Sequence, residues 1–184
     1  MRPLFTIHAG EYLVASEIER RFRLTNVWVP SRDTGVDLLV TDRRSQRSVS
    51  LQVKFSKDFL TTHMEPAFQK QLRGCGWWTI DRQKLAKSPA DYWVFVLQGF
   101  ANRSIDFVIV PPRELARRLT AIHGRDKKVH TYLWVTEDKR CWETRGMRRT
   151  DQLLLAHGEY VNRKRDFTAW LNNWTPVQRL NRGQ

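Results

Sequence analysis

Two apolar runs joined by a short polar link constrain the fold of this chain most strongly. Residues 36–40 read Val-Asp-Leu-Leu-Val, and residues 48–55 read Ser-Val-Ser-Leu-Gln-Val-Lys-Phe. Apolar and β-branched side chains in runs of this length indicate strands. The alternation in the second run places Gln52 and Lys54 on the same face. We therefore predict an antiparallel hairpin whose turn lies within residues 41–47.

This hairpin is expected to bring an acidic side chain close to an amide and an ammonium group. Asp37 stands at the start of the first strand, and antiparallel pairing places it near Gln52 and Lys54. A buried unpaired charge costs several kcal/mol or shifts its pKa. One explanation is an ion pair between Asp37 and Lys54. The other is a divalent-metal site built from carboxylate and amide oxygens, beside which Lys54 holds water or neutralises a phosphate.

The same residues resemble the Asp…(Asp/Glu)-X-Lys signature of the PD-(D/E)XK nuclease superfamily, in the variant with Gln at the second acidic position. The segment around Glu11 resembles the first helix of its archaeal Holliday-junction-resolvase-like branch, and the match covers roughly the first third of the chain. The resemblance implies a Mg²⁺ site, with Mn²⁺ as an alternative ion, in which Lys54 is the catalytic lysine. The implied ligands are Glu11, Asp37, Gln52 and the backbone carbonyl of Val53.

Two features of this match have a second explanation. Gln52 offers an oxygen but removes one negative charge, and the charge of the ligands tunes cation affinity. The site therefore either binds Mg²⁺ weakly or is degenerate. Glu11 is placed in the first turn of a helix that begins near His8 or Ala9, where the helix dipole alone also favours a carboxylate.

The order of elements predicts an α/β fold with a central mixed sheet and helices on both faces. By resemblance its core is restriction-endonuclease-like, with a helical C-terminal extension. We predict a single domain, 1–184, in which 1–110 form the nuclease-like core and 111–184 add a strand and helices. The predicted helices cover residues 8–23, 65–73, 81–87, 112–119 and the tail from 151, and the predicted strands cover 26–30, 36–40, 48–55, 92–97, 105–110 and 130–135.

The charge of the chain indicates a polyanionic partner. Its 184 residues carry 32 Lys and Arg against 19 Asp and Glu, a formal net charge of +13 with a pI near 10.4. Such an excess is typical of nucleic-acid-binding proteins, and with the resemblance it indicates DNA. The candidate phosphate contacts are Ser31, Arg32, Arg148, Arg149, Arg163, Lys164 and Arg165.

The remaining composition indicates an intracellular protein. Cys75 and Cys141 have no metal-ligand spacing and do not form a disulfide framework. No apolar stretch reaches membrane-spanning length, and the N-terminus lacks the apolar region of a signal peptide. We therefore expect a soluble cytoplasmic protein without membrane contact. Many nucleases of the superfamily act as homodimers, although the sequence shows no interface signature.

Two rival functions remain open at this point. One is a DNA-binding protein that kept the fold and lost the chemistry, for which Gln52 is the suggestive residue. The other is a basic RNA- or protein-interaction module in which Asp37 and Lys54 are simply paired. A further pair, Trp77 and Trp78, either packs in the core or stacks on unpaired bases.

Overall fold

A computed structural model of the chain describes residues 4–31, 34–57, 71–99 and 104–181, and at residues 4–8 and 57 the backbone alone. Arg32, one of the predicted phosphate contacts, and most of the helix predicted over 65–73 lie outside these ranges. Among the helices that are described, none is long and apolar enough to span a membrane.

The described residues form eight strands, five α-helices and two 3₁₀ helices. In chain order they are α1 (Leu4–Arg21), β1 (Thr25–Trp28), β2 (Leu38–Asp42), β3 (Ser48–Lys57), β4 (Leu72–Asp81), α2 (Arg82–Ala86), β5 (Tyr92–Gln98), β6 (Ile105–Val110), α3 (Pro112–His123), β7 (Lys128–Thr136), β8 (Cys141–Glu143), α4 (Arg149–Ala156), a 3₁₀ helix (Thr168–Trp170), α5 (Thr175–Gln178) and a second 3₁₀ helix (Arg179–Asn181).

Helix α1 buries the face that the spacing of its apolar side chains predicts. Val14 and Ile18 have no exposed surface, and Phe22 packs against the same cluster. The helix begins at Leu4, earlier than predicted. Glu11 therefore lies in the second turn, and the prediction that it occupies the first turn is wrong. Since the dipole effect is confined to the first turn, it does not account for this carboxylate.

Five strands among the described residues form a mixed central sheet in the order β1-β2-β3-β5-β6. Strands β1, β2 and β3 pair antiparallel, β5 is parallel to β3, and β6 is antiparallel to β5. The predicted hairpin is confirmed, with Leu38 opposite Leu51. In its turn, Oδ1 of Asp42 accepts hydrogen bonds from the backbone N–H groups of Gln46 and Arg47. These bonds, chiefly that from Arg47, hold the pKa of Asp42 below its usual value.

Each face of the central sheet is buried in its own hydrophobic cluster. The first cluster joins the sheet to α1 and α5 and contains Val14, Ile18, Leu38, Leu51, Val53, Val94, Val96, Phe107, Ile109, Trp174 and Val177. The second cluster joins the opposite face to β4, β7 and α3 and contains Trp78, Ile80, Trp93, Phe95, Leu97, Val108, Val110, Leu115, Leu119, Leu133 and Val135.

Helices pack on both faces of the central sheet, as predicted, but the second face is covered largely by another sheet that was not predicted. Among the described residues, β4, β7 and β8 form an antiparallel sheet in that order. Residues 74–78, which follow the helix predicted over 65–73, lie within β4. A Cβ at Gly76 would lie 2.2 Å from Cη2 of Trp78, and Trp78 packs edge-on against Phe95 at 4.9 Å between ring centroids. Glycine here allows the indole to lie close to the strand and fill the space between the sheets.

The C-terminal extension is less helical than predicted. Helix α4 ends at Ala156, and the chain continues through short helical turns. The aromatic side chains of this tail do not share one packing face, because Phe167 and Trp170 join the cluster of α3 whereas Trp174 joins the cluster of α1. They fill two separate cores.

Arg118 of α3 fixes part of this extension. Its guanidinium lies 4.3 Å from the centroid of the Trp170 ring and donates to the backbone carbonyls of Arg163, Lys164 and Asp166. Glu114 accepts a hydrogen bond from Nε of Arg118 at 2.8 Å. Hydrogen bonds from Arg117 and then Arg118 lower the pKa of Glu114 to about 2. Arg118 therefore has a structural role.

Candidate functional site

The four side chains predicted to carry the chemistry line one cleft. The cleft has a volume of about 830 Å³, and its walls include Glu11, Asp37, Gln52 and Lys54. Helix α1 supplies Glu11, the residue before β2 supplies Asp37, and β3 supplies the other two. Residues distant in the sequence thus come together because α1 and the β2–β3 hairpin share one end of the sheet.

Glu11 reaches the cleft because α1 packs closely on β3 at a glycine. A Cβ added to Gly10 would lie 2.6 Å from the Cβ of Phe55 and 3.2 Å from Cγ1 of Val53. A larger side chain would force the helix away from the strand. Gly10 therefore fixes the distance between the helix and the strand that carry the site.

Asp37 is held at the end of the hairpin by three hydrogen bonds. Its backbone N–H donates to the carbonyl of Leu51 at 2.8 Å. Oδ2 of its carboxylate accepts from Val53 N at 2.6 Å and from Nε2 of Gln52 at 2.5 Å. Because the N–H and C=O of one strand residue point to the same edge, the carbonyl of Val53 also faces this end of the hairpin.

Lys54 shares a face of β3 with Gln52, as the alternation predicts. Its side chain is partly buried, and Nζ lies 5.2 Å from the centroid of the Trp93 ring. Trp93 is itself only 4% exposed, so the indole provides a rigid support for the ammonium group. A cation over an aromatic ring face is attracted by the ring quadrupole.

The opposite wall of the cleft comes from β4 and α2. Oδ1 of Asp81 accepts hydrogen bonds from the backbone N–H groups of Gln83 and Lys84 at the start of α2. These bonds lower the pKa of Asp81, and the bond from Lys84 has the larger effect. Lys84 and Lys87 are exposed and line the cleft. Their spacing of three residues places Lys84 and Lys87, the residue after α2, on one side. No local pattern in the sequence indicates that α2 returns to the hairpin, so neither lysine was predicted.

The predicted phosphate contacts that the structure describes either lie outside the cleft or are bonded to another side chain. Ser31, Arg148, Arg149, Arg163 and Lys164 are exposed and are not part of the cleft wall.

Arg165 is committed to a buried carboxylate. Its Nη1 donates to Oε2 of Glu143 at 2.6 Å and to the carbonyl of Arg145 at 2.9 Å. The side chain of Arg165 is only 15% exposed, and that of Glu143 is fully buried. Arg165 therefore neutralises the buried carboxylate of Glu143.

The cleft offers oxygen donors for a hard cation. Among the residues that the structure describes, no group of three or more His, Cys, Asp or Glu side chains is arranged to hold a metal ion. The donors at this end of the hairpin are two carboxylates, the Gln52 amide and the Val53 carbonyl. Gln52 directs Nε2 at Asp37, so its amide must turn over before Oε1 can bind a cation beside that carboxylate.

In comparisons with protein-family models, curated proteins and solved structures, no match to this chain was found. The resemblance to PD-(D/E)XK nucleases therefore stays a prediction that rests on the residues themselves.

Proposed function

We propose that the chain is a Mg²⁺-dependent endonuclease that hydrolyses phosphodiester bonds of DNA. The observation that carries this proposal is the convergence of Glu11, Asp37, Gln52 and Lys54 on one cleft. An arrangement of carboxylates, an amide and an ammonium group suits phosphate chemistry, because it combines ligands for a cation with a donor for a developing negative charge.

The donor set fits Mg²⁺, which takes oxygen ligands and is commonly bound through one or two carboxylates. Asp37 and Glu11 would hold the ion, with the carbonyl of Val53 and the amide oxygen of Gln52 completing the protein ligands. When bound, Mg²⁺ lowers the pKa of water and stabilises negative charge on a phosphate. The hydrogen bond from the backbone N–H of Val53 fixes the orientation of the Asp37 carboxylate.

Lys54 is assigned to the reacting phosphate. Its ammonium donates hydrogen bonds, either to the attacking water or to a phosphate oxygen as charge develops. Contact with Trp93 restricts where Nζ can lie, which lowers the entropic cost of placing it beside the substrate.

The remaining basic groups favour a long polyanion over a small phosphate. Lys84 and Lys87 add two positive charges to the opposite wall, and the whole chain carries a formal net charge of +13. Neutralisation of several phosphates makes binding strong and salt-dependent. DNA lying in the cleft would contact lysines on both walls.

Gln52→Glu tests the metal site without any activity measurement. The new carboxylate would stand where Nε2 now lies, 2.5 Å from Oδ2 of Asp37, and the repulsion should lower the thermal unfolding temperature in EDTA. The added charge should strengthen Mg²⁺ binding. Mg²⁺ is therefore expected to raise the unfolding temperature of the variant more than that of the native chain.

The matched control for this substitution is Gln178→Glu, an exposed position of α5 outside the cleft. It adds the same charge, and its response to Mg²⁺ should equal that of the native chain. If Mg²⁺ stabilises both variants equally, Gln52 is not a metal ligand.

One observation favours a second candidate, a DNA-binding protein without nuclease activity. The hydrogen bond from Gln52 to Asp37 joins the two side chains without a cation. Incubation of the protein with supercoiled plasmid, single-stranded DNA and branched DNA in Mg²⁺, Mn²⁺ or EDTA separates the two candidates. The nuclease gives metal-dependent products, whereas the inactive protein gives salt-sensitive binding and no products.

A further inference from the structure

The described residues cover only half of the outer face of the second sheet, which is the face that turns away from the central sheet. At one end, helix α4 and the segment after it pack on the sheet. The residues buried there are Leu72, Cys75, Trp134, Trp142, Met147, Leu155 and Tyr160. Since side chains alternate along a strand, Trp77 follows Cys75 on this face of β4, and Tyr132 precedes Trp134 on β7. The aromatic surface therefore continues beyond the part that α4 covers.

The other half carries three stacked or edge-packed rings, which we call the aromatic platform: Trp77, His130 and Tyr132. Trp77 is 42% exposed. It stacks with His130 at 5.8 Å between centroids and an interplanar angle of 24°, and Tyr132 lies edge-on at 6.4 Å. Its neighbour Trp78 points to the opposite face and is buried. The two tryptophans thus have different environments, and Trp77 belongs to the surface.

The platform adjoins the proposed active site. Thr79 lines the cleft and bonds through Oγ1 to Nδ1 of His130 at 2.9 Å. On the other side, the backbone N–H of Trp77 donates to Oγ of Ser56 at 3.1 Å. Ser56 lies two residues beyond Lys54 on the same face of β3, a separation of about 7 Å. The backbone of Trp77 therefore lies beside the part of β3 that carries Lys54.

The charges around the platform complement a phosphate backbone. The guanidinium of Arg145 lies 5.9 Å from the centroid of the Tyr132 ring. Lys128 is exposed on the same sheet, opposite Asp81. Asp81 lies on the same face of β4 as Trp77, and its carboxylate accepts two hydrogen bonds at the start of α2. Rings flanked by cations are the usual features of surfaces that bind single-stranded nucleic acid.

We propose that the aromatic platform binds single-stranded DNA by stacking an unpaired base on Trp77, next to the phosphate held in the cleft. The choice of DNA rests on the proposed function. A base in a duplex is already stacked on its neighbours and is not available to an exposed indole. The platform thus selects DNA with an unpaired segment beside the site of cleavage.

The test measures equilibrium binding of labelled oligonucleotides in EDTA, where nuclease activity does not interfere. The Trp77→Ala variant should bind single-stranded DNA about 5- to 150-fold more weakly than the native chain, because it loses one base-stacking contact. Binding of a fully paired duplex should change about twofold or less, because phosphate contacts dominate there. Trp77→Phe should retain most of the affinity for single strands.

The matched control is Trp28→Ala. Trp28 is 53% exposed on β1, in the other sheet, and it is not part of the cleft wall. This variant should bind single-stranded DNA as the native chain does. Equal losses in the two alanine variants, or equal losses for single-stranded and duplex DNA, would overturn the proposal. Preference for single-stranded RNA over DNA of the same sequence would overturn the choice of DNA.

A second measurement uses the native chain and does not depend on whether a variant folds. Single-stranded DNA containing 5-iodouracil is bound in EDTA, irradiated, and the attached peptide is identified by mass spectrometry. Attachment at Trp77, His130 or Tyr132 supports the platform, and attachment only elsewhere overturns it. An inactive chain with Trp77-dependent binding would refute the nuclease proposal alone, whereas an active nuclease with Trp77-independent binding would refute the platform alone.

Discussion

The Asp37→Asn variant is expected to lose at least about a hundredfold in the rate of DNA cleavage while it keeps the native fold. Val53 N and Nε2 of Gln52 both donate to Oδ2 of Asp37. The amide oxygen of asparagine can occupy that position and accept both bonds. The substitution therefore removes one negative charge from the cleft and little else. If Asp37 is a metal ligand, the variant should also need a higher Mg²⁺ concentration.

Asp91→Asn is the matched control for this experiment. Asp91 is exposed, accepts hydrogen bonds from the backbone N–H and hydroxyl of Ser50, and is not part of the cleft wall. It loses the same charge with the same geometry. We expect native cleavage rates from this control and native thermal unfolding from both variants. Full activity of Asp37→Asn would remove Asp37 from the active site.

The largest effect on stability is expected at Glu143, whose carboxylate is fully buried. Oε1 lies 2.9 Å from Nε2 of His123 and 3.3 Å from Oγ1 of Thr131, and Oε2 accepts from Arg165 at 2.6 Å. Glu143→Ala leaves the buried guanidinium without its counter-charge. Removal of one partner of a buried ion pair typically costs about 3–5 kcal/mol. Urea denaturation followed by circular dichroism measures this loss.

Two further variants distinguish the loss of the hydrogen bonds and ion pair of Glu143 from the general effect of a substitution. Glu143→Gln keeps an acceptor oxygen and should cost less than alanine, about 1–3 kcal/mol. Glu137→Ala removes an exposed carboxylate of the turn after β7 and should stay within about 0.5 kcal/mol of the native chain. A loss below about 1 kcal/mol for Glu143→Ala would show that the pair contributes little.

The hairpin and its polar residues were predictable because their signals are local. Alternation along residues 48–55 fixed the face of Gln52 and Lys54, and the polar link fixed the pairing that brings Asp37 to Gln52. Strands β5 and β6 were predictable for the same reason, as continuous apolar runs. The approach of Glu11 depends on Gly10 contacting Phe55. That contact is long-range, and it was anticipated only through the family resemblance.

The second sheet was missed because its local signals are ambiguous. Strand β4 was not predicted from the sequence, because it contains two glycines and glycine is unfavourable in strands. Only the packing of Trp78 over Gly76 and against Phe95 explains them. Likewise, the tail from residue 151 was predicted to be helical, although Phe167, Trp170 and Trp174 pack into two different cores. Tertiary contacts decided both segments.

The roles of the basic residues also depend on tertiary contacts. Arg165 was predicted to contact phosphate from the density of positive charge alone, but its position beside Glu143 gives it a structural role. Two lysines that line the cleft, Lys84 in α2 and Lys87 just after it, have positions that depend on the path of β4. A sequence reveals the number of positive charges, whereas the fold decides which of them face a ligand.

The most direct test of the proposed site is plasmid cleavage by the native chain and by Lys54→Ala, each in Mg²⁺ and in EDTA. The native chain should nick or linearise the plasmid in Mg²⁺ only. Lys54→Ala should give no product, yet still bind DNA in EDTA and unfold at the native temperature. Cleavage by Lys54→Ala at the native rate, or native cleavage that persists in EDTA, would contradict a Mg²⁺-dependent active site in this cleft.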